Sequence, residues 1–599
     1  MAAGSTTGTS TGTSTGTSTG KLTETLARAR KFLAEDPDPE TRAELSALLA
    51  RAEAGDDAAG ADLVERFAGT LSFGTAGLRG RVEAGSARMN RSVVMQASWG
   101  VGRYLLDEGA RFGVDARKRG VVVGFDGRLS SRQFAEDTCA VLAAQGVPAL
   151  VFLDPVPTPL CAFAVEQLGA AAGVMVTASH NPPADNGYKV YWANAAQIIP
   201  PHDSGIAACI TKAPAPNAIE RVAPPDAAAR GVRRLVADDV ERAYLDAVRG
   251  LAWHRASAGG APLRIVYTAM HGVGHRLALR ALAEAGFLGV IDEPTQADPD
   301  GTFRTVAFPN PEEKGALDRA IAVAKEAGAE LILANDPDAD RLAVAVATDG
   351  AYRLLSGNEI GMLLCADALD HQPLPVGAGK KLVVTTIVSS TFLSRMAKDK
   401  GAAYAETLTG FKWIANKAME RAPHGEHFVC GYEEALGYSV GPLVKDKDGI
   451  GAAVRFAELA RALKAEGKTV LDRLEELFVA HGLSHAVNWS VTMPGASGME
   501  RIKGAMAALR KDPPAVLDGK KVVRVDDLAR DGNPADVVVL HTEDGARLTV
   551  RPSGTEPKIK LYDELVARVS ARGEIAAARA RLEAQGQRTK AEVNARLGL

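Results

Sequence analysis

Short apolar runs rich in β-branched residues alternate with helix-like runs along most of the chain, and this alternation constrains the fold more than any other feature. Strand-like segments occupy 120–126, 149–154 and 172–179, and the stretches between them, 130–146 and 158–169, have the length and composition of helices. Strands that alternate with helices of ten or more residues are typical of βαβ units. The chain is therefore predicted to contain mainly parallel sheets.

The alternation recurs from 263–269 to 330–336 and begins a third time at 381–389. We therefore predict an α/β protein with three related α/β modules. After about residue 485 the strand-like runs follow one another with less helix between them, and a run rich in Ala, Arg and Glu closes the chain. This change of pattern predicts a smaller C-terminal α+β domain with a terminal helix.

The N-terminal segment has a different composition. Residues 4–20 are Gly, Ser and Thr, which can bury no apolar surface, so a flexible tail is predicted there. Leu22, Leu26 and Leu33 then recur at helical spacing. The predicted division of the chain is a tail at 1–20, a helical extension at 21–67, three α/β domains at 68–235, 236–352 and 353–484, and the last domain at 485–599.

The composition excludes several classes of function. The 599 residues include 70 Lys and Arg against 73 Asp and Glu, so the net charge of −3 provides no electrostatic footprint for nucleic acid. The five cysteines are far apart and form no CxxC pair, which argues against a disulfide framework and against a structural zinc site. No apolar run of 18 residues and no secretory signal is evident, so we expect a cytoplasmic protein without a membrane partner.

A serine and a histidine stand where the buried, strand-like run GVMVT (173–177) ends. In open α/β sheets, ligands bind at the carboxyl ends of strands, where Ser179 and His180 are expected to lie. A serine hydroxyl beside a histidine at such a position is a candidate nucleophile. A helix-capping serine next to a loop histidine is the alternative that these residue types leave open.

Three aspartates follow another strand-like run. Asp336, Asp338 and Asp340 stand at alternating positions of one turn, where their charges repel unless a cation lies between them. Oxygen ligands alone suit Mg²⁺ or Ca²⁺. An EF-hand is excluded because Arg341 stands at its sixth position and Ala347 at its twelfth. A solvated acidic turn is the alternative, but Arg341 would serve a phosphate better than a bare surface loop.

Three further loops combine glycine with polar groups. The segment 551–558 (RPSGTEPK) offers a guanidinium, two hydroxyls and backbone N–H groups to an anion, with an ordinary turn as the alternative. Paired carboxylates at 431–437 (GYEEALG) can accept hydrogen bonds from sugar hydroxyls, and 74–80 is glycine-rich. Walker A and dinucleotide fingerprints fail because Ala462 and Leu277 replace required glycines.

Taken together and in this order, these loops resemble the α-D-phosphohexomutase family, which includes phosphoglucomutases and phosphomannomutases. The resemblance covers roughly residues 70 to 565 and extends to 186–189 (NGYK), 408–412 (LTGFK) and 447–449 (KDG). The segments NGYKVYW and GYEEALGY are most similar in sequence to the branch of bacterial phosphoglucomutases and phosphopentomutase-like enzymes. The family resemblance implies a heart-shaped, four-domain architecture around one cleft.

The resemblance also implies roles for individual residues. Ser179 would be the phosphorylated nucleophile, and a phosphoserine oxygen together with Asp336, Asp338 and Asp340 would hold Mg²⁺. Arg79, His180 and Arg341 would assist at the phosphate, and Lys189 would be the general acid/base. The sugar would meet Glu433, Ala435, Gly410 and Lys412, and the phosphate that is not reacting would meet Arg551, Ser553, Gly554, Thr555 and Lys447.

The implied reaction interconverts 1-phospho and 6-phospho hexoses, glucose phosphates first and mannose phosphates second. It proceeds through a phosphoserine enzyme and a sugar bisphosphate, which also serves as activator, and its partner is a small phosphosugar. Ala435 stands where many hexose-phosphate enzymes of the family carry serine, so a phosphopentomutase or sugar-1,6-bisphosphate synthase stays open. A non-catalytic sugar-phosphate-binding protein is the alternative from another class. The sequence leaves the oligomeric state and regulation open.

Overall fold

The structure is a computed structural model. It describes residues 15–254, 262–493, 498–530, 535–553 and 557–599, with the backbone alone for 15–20. The chain forms two compact units. The first unit comprises Met1–Glu241, Met270–Val273 and Asp298–Glu313, and the second comprises Arg242–Ala269, Gly274–Ala297 and Lys314–Leu599.

Three helices open the described chain: α1 (Thr15–Glu35), α2 (Pro39–Glu53) and α3 (Asp57–Arg66). Asp38 caps α2 by accepting a hydrogen bond from the backbone N–H of Thr41. The apolar faces of the three helices form one buried cluster that includes Leu45 and Leu63. This cluster gives the N-terminal helices a core of their own within the first unit.

The first helix starts earlier than predicted. It begins at Thr15, so residues 15–20 of the predicted flexible tail are helical, whereas residues 1–14 lie outside the described residues. Extending an existing helix costs less free energy than nucleating one, so a helix anchored by the leucine-bearing part of α1 can continue into residues of low helix propensity.

The first unit contains a six-stranded sheet with strand order β1-β5-β4-β2-β3-β6. Strands β2, β3, β4 and β6 run parallel, whereas β5 is antiparallel to both β4 and β1. The elements are β1 (Leu78–Arg81), α4 (Arg91–Glu108), α5 (Ala116–Arg119), β2 (Val121–Phe125), α6 (Ser131–Ala144), β3 (Ala149–Val151), α7 (Thr158–Gln167), β4 (Ala172–Val176), β5 (Asp185–Trp192), α8 (His202–Ile210), α9 (Pro224–Ala229) and β6 (Arg233–Leu235). The boundary between the two units falls within the next helix, α10 (Asp238–Gly250).

The second unit begins with two further α/β sheets, with strand orders β11-β10-β9-β7-β8 and β13-β12-β14-β15. The elements of the five-stranded sheet are β7 (Ile265–Thr268), α11 (His275–Glu284), β8 (Ile291–Asp292), α12 (Asp318–Ala327), β9 (Leu331–Asn335), β10 (Leu342–Thr348) and β11 (Ala351–Leu354). Those of the four-stranded sheet are α13 (Gly357–His371), β12 (Lys380–Thr386), α14 (Phe392–Asp399), β13 (Ala403–Thr407), α15 (Phe411–Arg421), β14 (Glu426–Glu433), β15 (Gly437–Val440), α16 (Gly449–Ala465) and α17 (Val470–His481).

A six-stranded antiparallel sheet with order β16-β21-β20-β19-β18-β17 forms the C-terminal part of the second unit. Its elements are β16 (Leu483–Thr492), α18 (Gly498–Lys511), β17 (Val516–Leu517), β18 (Lys520–Asp527), β19 (Val538–Thr542), β20 (Arg547–Pro552), β21 (Lys558–Ala567) and α19 (Ile575–Leu597). Helix α19 packs its buried residues over β16 and β21.

The predicted fold class is confirmed: three related α/β modules precede a smaller α+β domain. The α/β sheets are mixed, because each has parallel strands at its centre and an antiparallel strand after the last of them. The reason is the length of the connection, since β4 and β5, β9 and β10, and β14 and β15 are joined by loops too short for a parallel crossover. Within the described residues, no helix has both the length and the apolar character needed to span a membrane.

Candidate active site

The loop between β4 and β5 carries Ser179 and His180 in the first unit. Ser179 is buried and has a left-handed backbone with φ of 52°. Its N–H donates to Oγ1 of Thr177 at 2.8 Å, and its own Oγ lies 3.3 Å from Nδ1 of His180. The serine therefore follows the carboxyl end of a parallel strand, as predicted, and it caps no helix.

Arg128 fixes the shape of this loop through hydrogen bonds to its backbone, a role that the sequence motifs did not predict. Its guanidinium donates to the backbone carbonyls of Ser179 at 2.7 Å, Asn181 at 2.6 Å, Pro182 at 2.7 Å and Asp185 at 2.9 Å. One planar group with several fixed donors can satisfy four carbonyl oxygens only when the loop has one shape. Arg128 therefore determines the conformation of the serine loop.

Arg128 is itself held by its neighbours on the first unit. Nε lies 3.3 Å from Oδ2 of Asp126, and the guanidinium carbon lies 5.0 Å from the centre of the Phe303 ring. Burial raises the pKa of Asp126, and the charge of Arg128 opposes this rise. The sequence could have pointed to Asp126 and Arg128, because both directly follow β2, the parallel neighbour of β4, and ligands bind at the carboxyl ends of such strands.

The other predicted residues of the first unit lie on β1 and β5. Arg79 pairs with Gly187 in the antiparallel register and donates from Nη1 to Oδ1 of Asn181 at 3.1 Å. Lys189 stands opposite Met175 on the neighbouring strand and is buried. Arg79 thus contacts the serine loop directly, whereas the position of Lys189 is set by the pairing of β5 with β4.

The loop between β9 and β10 carries the three aspartates in the second unit. Asp336, Asp338 and Asp340 are each 0% exposed, and one carboxylate oxygen from each lies within 4.8 Å of the others. Burial, followed by the charges of Asp338 and Asp340, raises the pKa of Asp336 well above its ordinary value. Complete burial excludes a solvated turn. Three buried carboxylates that converge in this way fit a hard divalent cation with oxygen ligands.

Lys447 lies beside the aspartate loop. Its Nζ is 3.1 Å from Oδ2 of Asp340 and 3.2 Å from Oδ1 of Asp446. Burial by itself would lower the pKa of Lys447, but the charges of Asp340 and Asp446 outweigh it and keep the pKa above its ordinary value. The ammonium therefore neutralises part of the negative charge at the loop.

The loop between β14 and β15 carries Glu433 and Ala435. Oε1 of Glu433 accepts a hydrogen bond from the N–H of Gly410 at 2.5 Å, which joins two segments of the predicted sugar site. Arg341 and Gly437 form an antiparallel bridge, so the aspartate loop is attached directly to this loop. Ala435 is half-buried between the two strands.

Arg551 joins the same network from β20. Its Nη1 donates to Oγ1 of Thr409, the residue before Gly410, and Lys412 follows in the first turn of α15. Ser553 donates its N–H to the carbonyl of Lys558 at 2.7 Å. Gly554 and Thr555 lie outside the described residues. Within the second unit, the aspartate loop, the Glu433 loop and Arg551 thus form one continuous set of contacts.

Comparison with known proteins identifies the class of this protein. Models of the phosphoglucomutase/phosphomannomutase family match four consecutive parts of the chain: α/β/α domain I at 70–216, domain II at 242–350, domain III at 356–480 and the C-terminal domain at 502–582. The chain belongs to this family and is a phosphosugar mutase, an intramolecular phosphotransferase. The resemblance inferred from the motifs is confirmed.

Individual relatives carry different names. The chain is 43% identical to a probable phosphomannomutase of Haemophilus influenzae over 79% of this chain and 92% of the relative. It is 36% identical to the phosphopentomutase of Mus musculus, over 84% and 85%, and 34% identical to the glucose 1,6-bisphosphate synthase of Homo sapiens, over 90% and 89%. These names agree on phosphosugar chemistry and differ in the sugar.

Solved structures agree with the fold. The open form of parafusin, a phosphoglucomutase from Paramecium, superposes with a TM-score of 0.68 at 18% identity, covering 89% of this chain and 96% of that one. A phosphoglucomutase/phosphomannomutase family protein from Burkholderia thailandensis has a TM-score of 0.63 at 21% identity, covering 87% and 97%.

Proposed function

We propose that this mutase interconverts 1-phospho and 6-phospho hexoses, with glucose phosphates as first substrates and mannose phosphates as second, through a phosphoserine at Ser179 and a sugar bisphosphate. The observation that carries this proposal is the serine itself. Ser179 stands on a left-handed backbone at the end of β4, and four carbonyls of its loop are held by one buried guanidinium. A fixed serine oxygen suits a group that must give and take a phosphoryl in one geometry.

The reaction has two half-reactions. In the first, the bond between the Ser179 oxygen and phosphorus breaks, a bond between phosphorus and the sugar hydroxyl oxygen forms, and Lys189 accepts the hydroxyl proton. The Ser179 oxygen leaves as an alkoxide whose charge the neighbouring His180 would stabilise until the second half-reaction. The product is a sugar bisphosphate. After the sugar turns over, its other phosphoryl group returns to Ser179, and Lys189 returns the proton to the sugar oxygen. Arg79, His180 and Arg341 would stabilise the charge on the phosphoryl oxygens.

Asp336, Asp338 and Asp340 would hold Mg²⁺. When bound, this cation supplies Lewis-acid stabilisation of the negative charge that develops on the phosphoryl oxygens. The three carboxylates lie together in a site buried from solvent, and the ion pair between Lys447 and Asp340 limits their mutual repulsion. This contact supports a role for Lys447 beside the aspartates in addition to the predicted phosphate contact.

The remaining residues would bind the sugar and its second phosphate. Glu433 would accept hydrogen bonds from sugar hydroxyls, with Gly410 and Lys412 beside it, because its carboxylate is already oriented by the N–H of Gly410. Arg551 would bind the phosphate that is not reacting, together with Ser553, Gly554 and Thr555. A guanidinium that also contacts Thr409 is well placed to link this phosphate to the sugar loop.

A phosphopentomutase or sugar-1,6-bisphosphate synthase is the second candidate. Ala435 offers no hydroxyl in the loop that carries Glu433, so the site has one polar partner fewer for a hexose. A site with fewer hydrogen-bonding groups discriminates less sharply between sugars. Relatives named phosphopentomutase and glucose 1,6-bisphosphate synthase support keeping this candidate.

Two measurements test the proposal. The first is kcat/KM for glucose 1-phosphate, mannose 1-phosphate and ribose 1-phosphate, together with net bisphosphate formation. We expect the highest value for glucose 1-phosphate, and a higher value for ribose 1-phosphate would replace the hexose assignment with the pentose one. Bisphosphate accumulation without isomerisation would favour the synthase.

The second measurement uses Ser179→Ala, with Ser204→Ala on the exposed part of α8 as control. We expect Ser179→Ala to abolish interconversion and to remove a mass increase of one phosphoryl group from the peptide that contains residue 179. The control should keep both. Normal turnover by Ser179→Ala would remove the serine from the nucleophile role and with it the proposed mechanism.

A further inference from the structure

Two histidines and one aspartate come together in the second unit, outside the candidate active site. Nε2 of His254 lies 2.7 Å from Oδ1 of Asp367, and Nε2 of His371 lies 3.8 Å from the same oxygen. Donor atoms from all three residues lie within 4.8 Å of one another. Among the residues that the structure describes, this cluster and the aspartate loop are the two groups with such a spacing.

The local structure explains how the cluster forms. Asp367 and His371 are four residues apart in the last turns of α13, so their side chains project from one face of the helix. His254 comes from the segment after α10, and its ring lies 4.7 Å, centre to centre, from the ring of His371. A helix therefore supplies two donors at a fixed separation, and a distant segment supplies the third.

The distances suit a tetrahedral metal ion. Metal–donor distances of about 2.0–2.2 Å place neighbouring donors of a tetrahedral site about 3.4 Å apart. The observed separations of 2.7 Å and 3.8 Å lie on either side of that value. A small rotation of the half-exposed His371 side chain shortens the longer separation, and the hydrogen-bonded pair of His254 and Asp367 moves apart as a metal enters between them.

The surroundings orient the aspartate. Oδ2 of Asp367 accepts a hydrogen bond from Nε1 of Trp253 at 2.7 Å, which leaves Oδ1 directed at the two histidines. Asp367 is buried, whereas the side chain of His371 is 52% exposed. Metal-binding carboxylates are commonly held by a second hydrogen bond of this kind. Because His371 is exposed, the cluster is reached from solvent, and a water molecule would be the fourth ligand.

We propose that His254, Asp367 and His371 bind a divalent transition metal ion, with Zn²⁺ as the best match. Two imidazole nitrogens and one carboxylate oxygen are ligands that Zn²⁺ prefers, whereas the oxygen-only aspartate loop suits Mg²⁺. The sequence argument against a structural zinc site rested on the scattered cysteines, and it does not apply to a site whose ligands are two histidines and an aspartate. In the metal-free protein Nε2 of His254 and Oδ1 of Asp367 are joined by a 2.7 Å hydrogen bond, which metal binding at these two atoms would replace.

The bound ion would fasten the Trp253–His254 segment to the end of α13. Because His254 lies 113 residues from Asp367 in the sequence, the complete site exists only in the folded chain. An ion that binds the folded state and not the unfolded state raises the free energy of unfolding. The metal therefore stabilises the second unit without taking part in phosphoryl transfer.

The test is a titration of the full-length protein with Co²⁺ in excess Mg²⁺, which keeps the aspartate loop saturated. Co²⁺ in a tetrahedral site absorbs visible light strongly, whereas Co²⁺ in an octahedral oxygen site absorbs weakly. We expect one strongly absorbing Co²⁺ per chain, displaced by one equivalent of Zn²⁺. His371→Ala should weaken binding by roughly 100-fold, and it should leave the Tm of the metal-free protein unchanged because the side chain is half-exposed.

Two matched variants separate this site from others. His424→Ala removes another exposed histidine and should bind Co²⁺ like the unmodified protein. Asp338→Asn alters the aspartate loop and should keep the tetrahedral absorption. The proposal is overturned by a weak octahedral spectrum, by equal Co²⁺ affinity in His371→Ala, or by loss of the tetrahedral signal in Asp338→Asn. An increase of Tm on Zn²⁺ addition that His371→Ala abolishes would add support.

Discussion

At the scale of single residues, the three α/β modules share a backbone feature in the loops that carry the candidate site. Ser179, Ala339 and Leu436 have φ values of 52°, 54° and 62°. Each lies in the short connection from a parallel strand to the next antiparallel strand. A non-glycine residue in this region carries a conformational cost, which the surrounding contacts must offset. In the first module, Arg128 supplies those contacts.

Arg128→Lys is expected to lower kcat by roughly 100-fold, because a lysine cannot donate to four carbonyls at once and the serine loop loses its fixed shape. KM should change little, since Arg128 contacts the loop and not the sugar site of the second unit. Steady-state kinetics would measure both constants. Arg132→Lys, on the exposed side of α6, is the control. An unchanged kcat in Arg128→Lys would contradict the positioning role.

Asp563 introduces a pH dependence into the C-terminal domain. Burial, followed by the charges of Glu564, Asp544 and Asp518, raises the pKa of Asp563 from 3.8 to about 7. Between these values the folded protein holds a proton that the unfolded chain has lost. The contribution of Asp563 to stability therefore falls as pH rises from about 4 to about 7, and above pH 7 the fold must bury a charge.

Asp563→Asn should accordingly stabilise the protein at pH 8, by on the order of 4 kcal/mol, and have little effect near pH 4. The amide has nearly the same shape and never ionises. Calorimetric Tm values at pH 4, 6 and 8 would measure the change. Asp349→Asn, which removes a charge from an exposed turn, is the control. A stabilisation independent of pH would show that Asp563 is not the titrating group.

At the scale of elements, packing decides what helix propensity leaves open. Helix α19 buries Ile575, Ala578, Leu582 and Gly586 at helical spacing against the antiparallel sheet. A Cβ atom at Gly586 would overlap Cγ2 of Val487 on β16, so the glycine permits the helix to approach the strand. Gly504, in the middle of α18, has open space at the corresponding position.

The same substitution should therefore have opposite effects at these two glycines. Gly504→Ala is expected to stabilise the protein by about 0.5–1 kcal/mol, because alanine is the better helix former and meets no neighbour. Gly586→Ala is expected to destabilise it by about 1–3 kcal/mol, because the helix must move away from Val487. Differential scanning calorimetry of the two variants would compare them. Equal signs would show that the approach of α19 to β16 is not limiting.

At the scale of the whole molecule, the four matched family domains extend over both compact units. The candidate nucleophile belongs to the first unit and the aspartates, Glu433 and Arg551 to the second. Activity should accordingly require the complete chain. The predicted domain boundaries and the heart-shaped arrangement around one cleft stay predictions.

Removal of divalent cations is expected to lower turnover by roughly 100-fold or more, because the phosphoryl group then loses several kcal/mol of charge stabilisation. Added Mg²⁺ should restore activity to the EDTA-treated enzyme and fail to do so in Asp338→Asn. Turnover of the hexose phosphate before and after dialysis would measure the effect, with Asp349→Asn as the charge-matched control. Full activity in the presence of EDTA would eliminate the metal-dependent mechanism.

Short-range patterns in the sequence were sufficient for the fold class and for a list of candidate site residues, whose roles stay predictions. The alternation of strand and helix is a local property, and the polar motifs directly follow the strands that position them. Hence Ser179, the three aspartates and Glu433 could be located from the sequence, and the resemblance to one family followed from their order. The antiparallel direction of strands β5, β10 and β15 could not be predicted from the sequence, because it depends on where the chain turns back.

What the sequence by itself determined is therefore the set of modules and the loops at their strand ends. The tertiary structure decided which distant groups act on those loops: Arg128, 51 residues from Ser179, and Lys447, whose ammonium meets Asp340. It also brought His254 to Asp367, 113 residues away. The physical reason is that hydrogen bonds and ion pairs between remote segments depend on how sheets and helices pack, and no local periodicity in the chain records that packing.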